Sequence, residues 1–329
     1  MPGDGDIQSS RRLRIFASRW FRWLVSLGLL TAVLWWADWH AVFGVLREVD
    51  AAWVAVAAAL ALLDRIVLTY RWDLLLVVRG LCLRFSRLFR LQMAANFLGS
   101  FMPSSLGVDA IRIAALVRAG HPAMEVVATT LVDRASMVLA TFGFGSLMIL
   151  LLAGTRLPGD VAWLVLATTG VAALVSLAFF HPRVRTWTAS ALLPKLPASI
   201  RDRVAEVGRA TLAYRHEPRL LLWVGIVTIL LFVIRLGFAK AVAMACGVDV
   251  AWLDLALVIP ILWIVVMIPI TVGGIGLQEA GYVTLMGLLG ISPAVAVSMS
   301  VIEHVVSRAV SLPGAFFRSD VVGPAPRAT

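Results

Sequence analysis

The chain has 329 residues, 60% of them hydrophobic and 15% charged, with a mean hydropathy of +0.92 and a formal net charge of +10. Globular domains carry about 25% charged residues, so this composition excludes a water-soluble protein and places most of the chain in a bilayer. The basic excess does not point to nucleic acid, because the Lys and Arg residues gather in short segments between apolar runs, the positive-inside signature.

A membrane span needs about 20 apolar residues. In chain order, spans are predicted near 20–38, 52–78, 86–102, 122–153, 160–181, 219–243, 252–268 and 292–317. Residues 1–19 form a cytosolic tail rich in Arg (Arg11, Arg12, Arg14, Arg19) that leads into an uncleaved first span, since no Ala-x-Ala-like cleavage site follows. Segment 39–51, with Glu48 and Asp50, fits the outside; 79–90, with Arg79, Arg84, Arg87 and Arg90, fits the inside. The loop 182–218 is again basic and cytosolic, 244–254 with Asp249 and Asp254 is external, and 318–329 is a cytosolic tail. Cys82 and Cys246 are expected as two small buried thiols rather than a disulfide. Most of the twelve Trp flank the spans, as in an interfacial belt.

Two further stretches, 104–119 and 273–289, are long enough only for short broken or re-entrant helices. Each follows a Pro-x-x-x-Gly break: Pro103 to Gly107, then Asp109 and Arg112; and Pro269 to Gly273, then Gly274, Gly276 and Glu279. Irregular backbone is tolerated in a membrane only where protein buries it or water reaches it. The surroundings repeat as well. Gly80 precedes the first break as Gly247 precedes the second, and Gly120-His-Pro122 matches Gly290-Ile-Ser-Pro293. The predicted fold is therefore an all-α polytopic membrane helix bundle, about eight long spans plus two short broken or re-entrant helices. Residues 20–317 form one transmembrane domain built as an inverted-topology repeat of about 52–153 and 220–317, the plan of many transporters.

Charges inside spans cost about 2.5–3.5 kcal/mol each on insertion scales, so they must pair, snorkel or face a wet cavity. On the second span Asp64 and Arg71 share a face, and Arg65, Thr69 and Asp73 share another; internal pairing and snorkelling of Arg71-Trp72 both remain open. Asp109 and Arg112 stand one turn apart after the first break, where free amides and a guanidinium suit phosphate. Asp133 and Arg134 lie side by side on the fourth long span, Arg134 facing Asp133 or a neighbouring helix. Glu279 begins the helix after the second break, within reach of a ligand amine, Arg235 or Lys240. Arg308 shares a face with His304 and stands ready either for a ligand or for the cytosolic interface. No His/Cys/Asp/Glu set has metal-ligand spacing, and no phosphate-binding loop or nucleophile elbow is present. Neither a metal, a cofactor nor an enzymatic activity is expected.

These residues resemble the lysylphosphatidylglycerol synthase transmembrane-region family, the flippase-like membrane part of the multiple peptide resistance factor. The resemblance runs from about residue 20 to 317. It is carried by Arg71-Trp72, the run from Asn96 to Pro103, Gly107-Val-Asp109-Ala-Ile-Arg112, Asp133-Arg134, and Pro269 through Glu279. The family usually has Gly-Gly-Asp where Val108 intervenes here, and Glu-Arg in place of Asp133-Arg134. The resemblance implies a stand-alone membrane module in a bacterial inner membrane, both termini cytosolic, without the aminoacyl-transfer domain. Its implied function is that of a lipid flippase or transporter for an anionic or aminoacylated phospholipid. The alternative is a non-transporting partner that presents a lipid, isoprenoid or hopanoid intermediate to a lipid-modifying enzyme; a membrane transferase is a third reading. The residues expected to meet substrate are Arg65, Arg71, Asn96, Pro103, Gly107, Asp109, Arg112, Asp133, Arg134, Pro269, Gly273, Gly274, Gly276, Glu279 and Arg308.

Overall fold

The computed structural model describes residues 19–100, 102, 106–152, 163, 167, 170, 206–211, 213–266, 271 and 273–317. Pro103, Pro269, most of the span expected at 160–181, most of the loop 182–218 and both tails lie outside them. The described residues form helices and turns without a strand. In order these are α1 (Arg19–Trp36), α2 (Trp39–Arg47), α3 (Ala51–Val78), α4 (Phe85–Gly99), α5 (Leu106–Arg118), α6 (Ala123–Leu152), α7 (Pro218–Ala245), α8 (Trp252–Val266), α9 (Leu277–Gly287) and α10 (Pro293–Ser311).

Length and apolarity make α3, α6, α7 and α10 bilayer-spanning. At 1.5 Å per residue the 28 residues of α3 or α7 reach about 42 Å, more than a hydrocarbon core of about 30 Å. Along α7, Leu222, Ile226, Ile229 and Val233 form one exposed apolar stripe, the face a lipid-bathed helix presents. The span expected at 86–102 is shorter than foreseen: it forms α4, whose 15 residues reach only about 22 Å. Helix α8 occupies the described part, 252–266, of the stretch expected at 252–268. After the first span the chain turns by 83° at Asp38 and continues as the helix α2. Asp38 makes that corner at φ 57° and accepts a hydrogen bond from the His40 amide at 3.1 Å. Eight long spans are thus not reached among the described residues; four helices qualify, or five with the bent α1–α2 pair. Cys82 is exposed and Cys246 half-buried, both free, so the expected pair of buried thiols is corrected.

Two quartets of helices follow one another. Helices α3 to α6 have 28, 15, 13 and 30 residues; α7 to α10 have 28, 15, 11 and 19. The lead helices end alike. Gly80 and Gly247 take φ of 70° and 75°, and the residue after each returns its amide to a carbonyl five positions back. That left-handed cap is what glycine allows without a Cβ clash. Gly120 and Gly290 end α5 and α9 in the same way. The lead helices pack antiparallel: Leu60 faces Gly237, Asp64 meets Arg235, and Arg71 meets Thr228. These are the correspondences an inverted repeat requires.

The larger apolar core joins α1, α2, α3 and α7 to α10 around Leu255, Leu257, Val258, Tyr282, Met286 and Met299. A smaller one joins α3 to α6 around Trp72, Leu88, Leu91 and Leu116. The glycine turn before α9 presses on α1. A Cβ on Gly276, at φ 83°, would lie 2.6 Å from the Leu29 Cβ and 2.8 Å from the Ser26 carbonyl oxygen. Gly276→Ala should therefore cost about 2–4 kcal/mol, from left-handed strain plus overpacking. Gly287→Ala, where a Cβ meets nothing within 4 Å, should stay within about 0.5 kcal/mol. Thermal unfolding midpoints in detergent separate the two; equal midpoints contradict the tight α1–α9 contact.

Candidate functional site

One carboxylate organises the first quartet. Asp133 on α6 accepts from Arg71 of α3 with Oδ1 and from Arg112 of α5, at 3.1 Å, with Oδ2. Arg71 is fully buried and uses every nitrogen. Its Nε donates to Thr228 Oγ1 of α7 at 2.9 Å, and its Nη2 to the Asp133 carbonyl at 3.2 Å and Ser136 Oγ at 2.6 Å. Arg71 therefore neither snorkels nor pairs within its own helix with Asp64. Fully buried, with each nitrogen engaged by the protein, it is a tie among three helices. Arg112 is different. It reaches Asp109 Oδ1 at 3.4 Å, its guanidinium lies 3.7 Å from the Trp72 ring centroid, and its Nε and Nη2 are buried without a hydrogen bond. Asp109 Oδ2 in turn accepts from Arg134 at 3.1 Å. The network thus sets two carboxylates against three guanidinium groups.

Arg134 connects this network to a cavity of about 310 Å³ between the quartets. Its polar lining is Asp64 and Arg65 of α3, Arg134 of α6, Arg235 of α7 and Glu303 and Ser307 of α10; Phe238 and Trp263 give apolar walls. Asp64 accepts from Arg235 Nε at 2.6 Å and from Arg65 Nη1 at 3.1 Å. Arg235 also lies over Trp263, 4.9 Å from its centroid. Three guanidinium groups line the cavity against two carboxylates; cavity and network together hold five guanidinium groups and four carboxylates, a net excess of one positive charge beside apolar surface. That combination suits an anionic headgroup with its chains.

In the second quartet Glu279 is turned away from ligand duty. Its Oε2 accepts from the Gly276 amide at 2.6 Å, capping the start of α9 from position N3, and its Oε1 accepts from Ser300 at 3.2 Å and lies 3.2 Å from His304 Nε2. The partners expected for it are engaged elsewhere: Arg235 with Asp64, and Lys240 with Asp249 and the Val250 carbonyl at 2.6 Å. Tyr282, fully buried, donates to Glu303 Oε2 at 2.5 Å.

The two breaks approach each other. A Cβ on Gly273 would sit 3.4 Å from the carbonyl oxygen of Ser100, the C-cap of α4, and 3.5 Å from Arg308 Nη2. A Cβ on Gly107 would lie 2.5 Å from the Met102 Cβ, and one on Gly274, at φ 80°, 3.1 Å from a Val266 methyl. Asn96 accepts from Gln92 one turn earlier at 3.2 Å and contacts none of the arginines above.

Thus Arg71, Asp109, Arg112, Asp133 and Arg134 come together, Arg65 lies in the adjoining cavity, and Asn96 and Glu279 stand apart. Sequence reasoning did not single out Thr228, Ser136, Trp263 or Glu303 for the site, and named Arg235 only as a partner for Glu279. Serine and threonine inside apolar runs carry no periodic signal, and Arg235 meets Asp64 across 171 positions. In the α5–α6 loop, burial and the neighbouring Arg87 hold the His121 imidazole below its ordinary pKa, so at neutral pH it adds no cation to this end.

Residues 23–314 match the family described as the Lysylphosphatidylglycerol synthase TM region, a stretch that runs from α1 to the turn after α10. A relative, the UPF0104 membrane protein of Methanothermobacter thermautotrophicus, is 22% identical over 283 residues, covering 80% of this chain and 83% of that protein.

Asp133→Ala strands two buried guanidinium groups and should lower stability by about 3–5 kcal/mol. Asp249→Ala, at an exposed pair, should cost under about 1 kcal/mol. Denaturation in detergent measures both, and an Asp133→Ala protein as stable as the parent contradicts the shared-carboxylate geometry.

Proposed function

The chain belongs to the lysylphosphatidylglycerol synthase transmembrane-region family of membrane proteins, and from that premise we propose that it moves an anionic or aminoacylated phospholipid across the bilayer. The observation that carries this reading is the cavity between the quartets, whose three guanidinium groups outnumber its two carboxylates next to Trp263 and Phe238. A lipid phosphate entering it takes over donors of Arg65 and Arg235 that now serve Asp64. Guanidinium forks match phosphate oxygens in pairs. The ring of Trp263 and the face of Phe238 receive the glycerol and upper acyl chain. Arg134, then Arg112 with its two unpaired nitrogens, offer the next anion positions toward α5.

Access alternates as the quartets rock on the antiparallel α3–α7 contact, with the α4 end and the glycine turn before α9 as the parts that slide. The orientation that fits the loop charges has both termini cytosolic in a bacterial inner membrane. Lysyl transfer is not assigned, since the described residues set out a binding cavity and ion-pair ties rather than a nucleophile with its base.

The test is purified protein in liposomes holding fluorescent phosphatidylglycerol or an aminoacylated analogue, with bleaching of the outer leaflet reporting movement. The parent should speed movement, and Arg235→Gln or Arg65→Gln should slow it about tenfold or more, by loss of a charge-assisted phosphate contact. Parent protein that binds these lipids without moving them favours the presenting-partner reading. Variants that move lipid at the parent rate remove the cavity from the mechanism.

A further inference from the structure

The two carboxylates that line the cavity are not equivalent. Asp64 is held by two guanidinium groups, at 2.6 and 3.1 Å. Glu303, among the described residues, has no ion pair and one hydrogen bond, from the neutral hydroxyl of Tyr282. The charged and titratable groups around it are these. Tyr282 and Glu279 stand on α9 and His304 on α10; Asp64 and Arg65 of α3, Arg134 of α6 and Arg235 of α7 share the cavity. Arg308 lies one turn further along α10, beside Gly273. His304 is spent on the Glu279 side, 3.2 Å from that carboxylate.

With Glu303 ionised the lining holds three positive and two negative groups; with Glu303 neutral it holds three and one. An anionic headgroup inside a low-dielectric cavity is repelled by an unpaired carboxylate and is not repelled by a carboxylic acid. Each therefore favours the other: a proton on Glu303 tightens binding of the anion, and the anion tightens binding of the proton, by one and the same factor. We propose that Glu303 is the protonation site through which a proton gradient drives headgroup movement, one proton travelling with each anionic headgroup. The proton is taken from water on the loading side onto a Glu303 carboxylate oxygen and returned to water on the release side, with no bond made or broken in the lipid. Tyr282 is a positioning residue, since it holds the second carboxylate oxygen and fixes the direction in which the first one points.

The inference rests on the transport reading above, and the experiments keep the two apart. In liposomes with pH gradients of either sign, the parent should move phosphatidylglycerol several-fold faster with one sign than with the other, and an entrapped pH dye should report proton flow in step. Calorimetric titration with phosphatidylglycerol micelles in two buffers of different ionisation enthalpy should register net proton uptake on binding, peaking at about half a proton per lipid for a tenfold coupling. That measurement needs only the parent protein. Glu303→Gln, a permanent mimic of the neutral acid, should abolish proton uptake and bind the lipid at alkaline pH as tightly as the parent does at acid pH, about tenfold better than the parent there. Lipid movement by the parent that ignores the gradient, with no proton uptake, overturns the coupling and leaves the transport reading intact. Glu303→Gln protein that still follows the gradient removes the role from this residue. No lipid movement by the parent under any condition overturns both.

Discussion

Every other feature of this fold depends on how guanidinium groups are kept inside hydrocarbon. A charge near mid-bilayer is tolerated only with a partner, and the partner must come from a packed neighbour. Asp133 meets that need for two arginines at once, tying α3, α5 and α6 together, while Thr228 adds α7 through Arg71. Helix α5 has 13 residues and cannot span the core alone. Its position is set by ion pairs from Asp109 and Arg112 rather than by length, so the broken segment and the charge network are one structural device.

The quartets match in their helix order, their lead-helix lengths and their glycine ends, yet they differ in chemistry. The first brings Asp64, Arg65, Arg71, Asp109, Arg112, Asp133 and Arg134 to the network and cavity; the second brings Arg235 and Glu303. In the transport reading proposed above, the shared geometry gives two halves that rock about α3 and α7. The unequal charges give the cavity Arg65, Arg134 and Asp64 on one side and Arg235 with the carboxylate of Glu303 on the other. A symmetrical distribution would provide the motion without any preference for an anion.

Much of this was legible in the sequence where one strong signal dominated. Long apolar runs located α3, α6 and α7 to within a few residues, and Gly-Pro punctuation located both short helices. Hydropathy placed α4 less well at its end, because the apolar run passes Gly99 into Phe101 and Met102; the start of α8 at Trp252 was placed to the residue. Ion-pair partners were least legible. Asp64 and Arg71 do share a face of α3, but seven residues place them about 10 Å apart along the axis, and closer partners on α6 and α7 won. Glu279 stands at the third position of its helix, three residues after Gly276, and its carboxylate closes on the free amide there rather than on a ligand. Helix periodicity says which face a residue is on, and only tertiary packing says what faces it.

A structure of the protein in lipid nanodiscs bears most directly on whether the cavity between the quartets receives a lipid headgroup. A phosphate within hydrogen-bond distance of Arg65, Arg134 and Arg235, with the attached chain running past Trp263, is the expected result. Phosphates confined to the interfacial belts, with Asp64 still clasped by both of its arginines and the cavity filled by water or by a side chain, would contradict it.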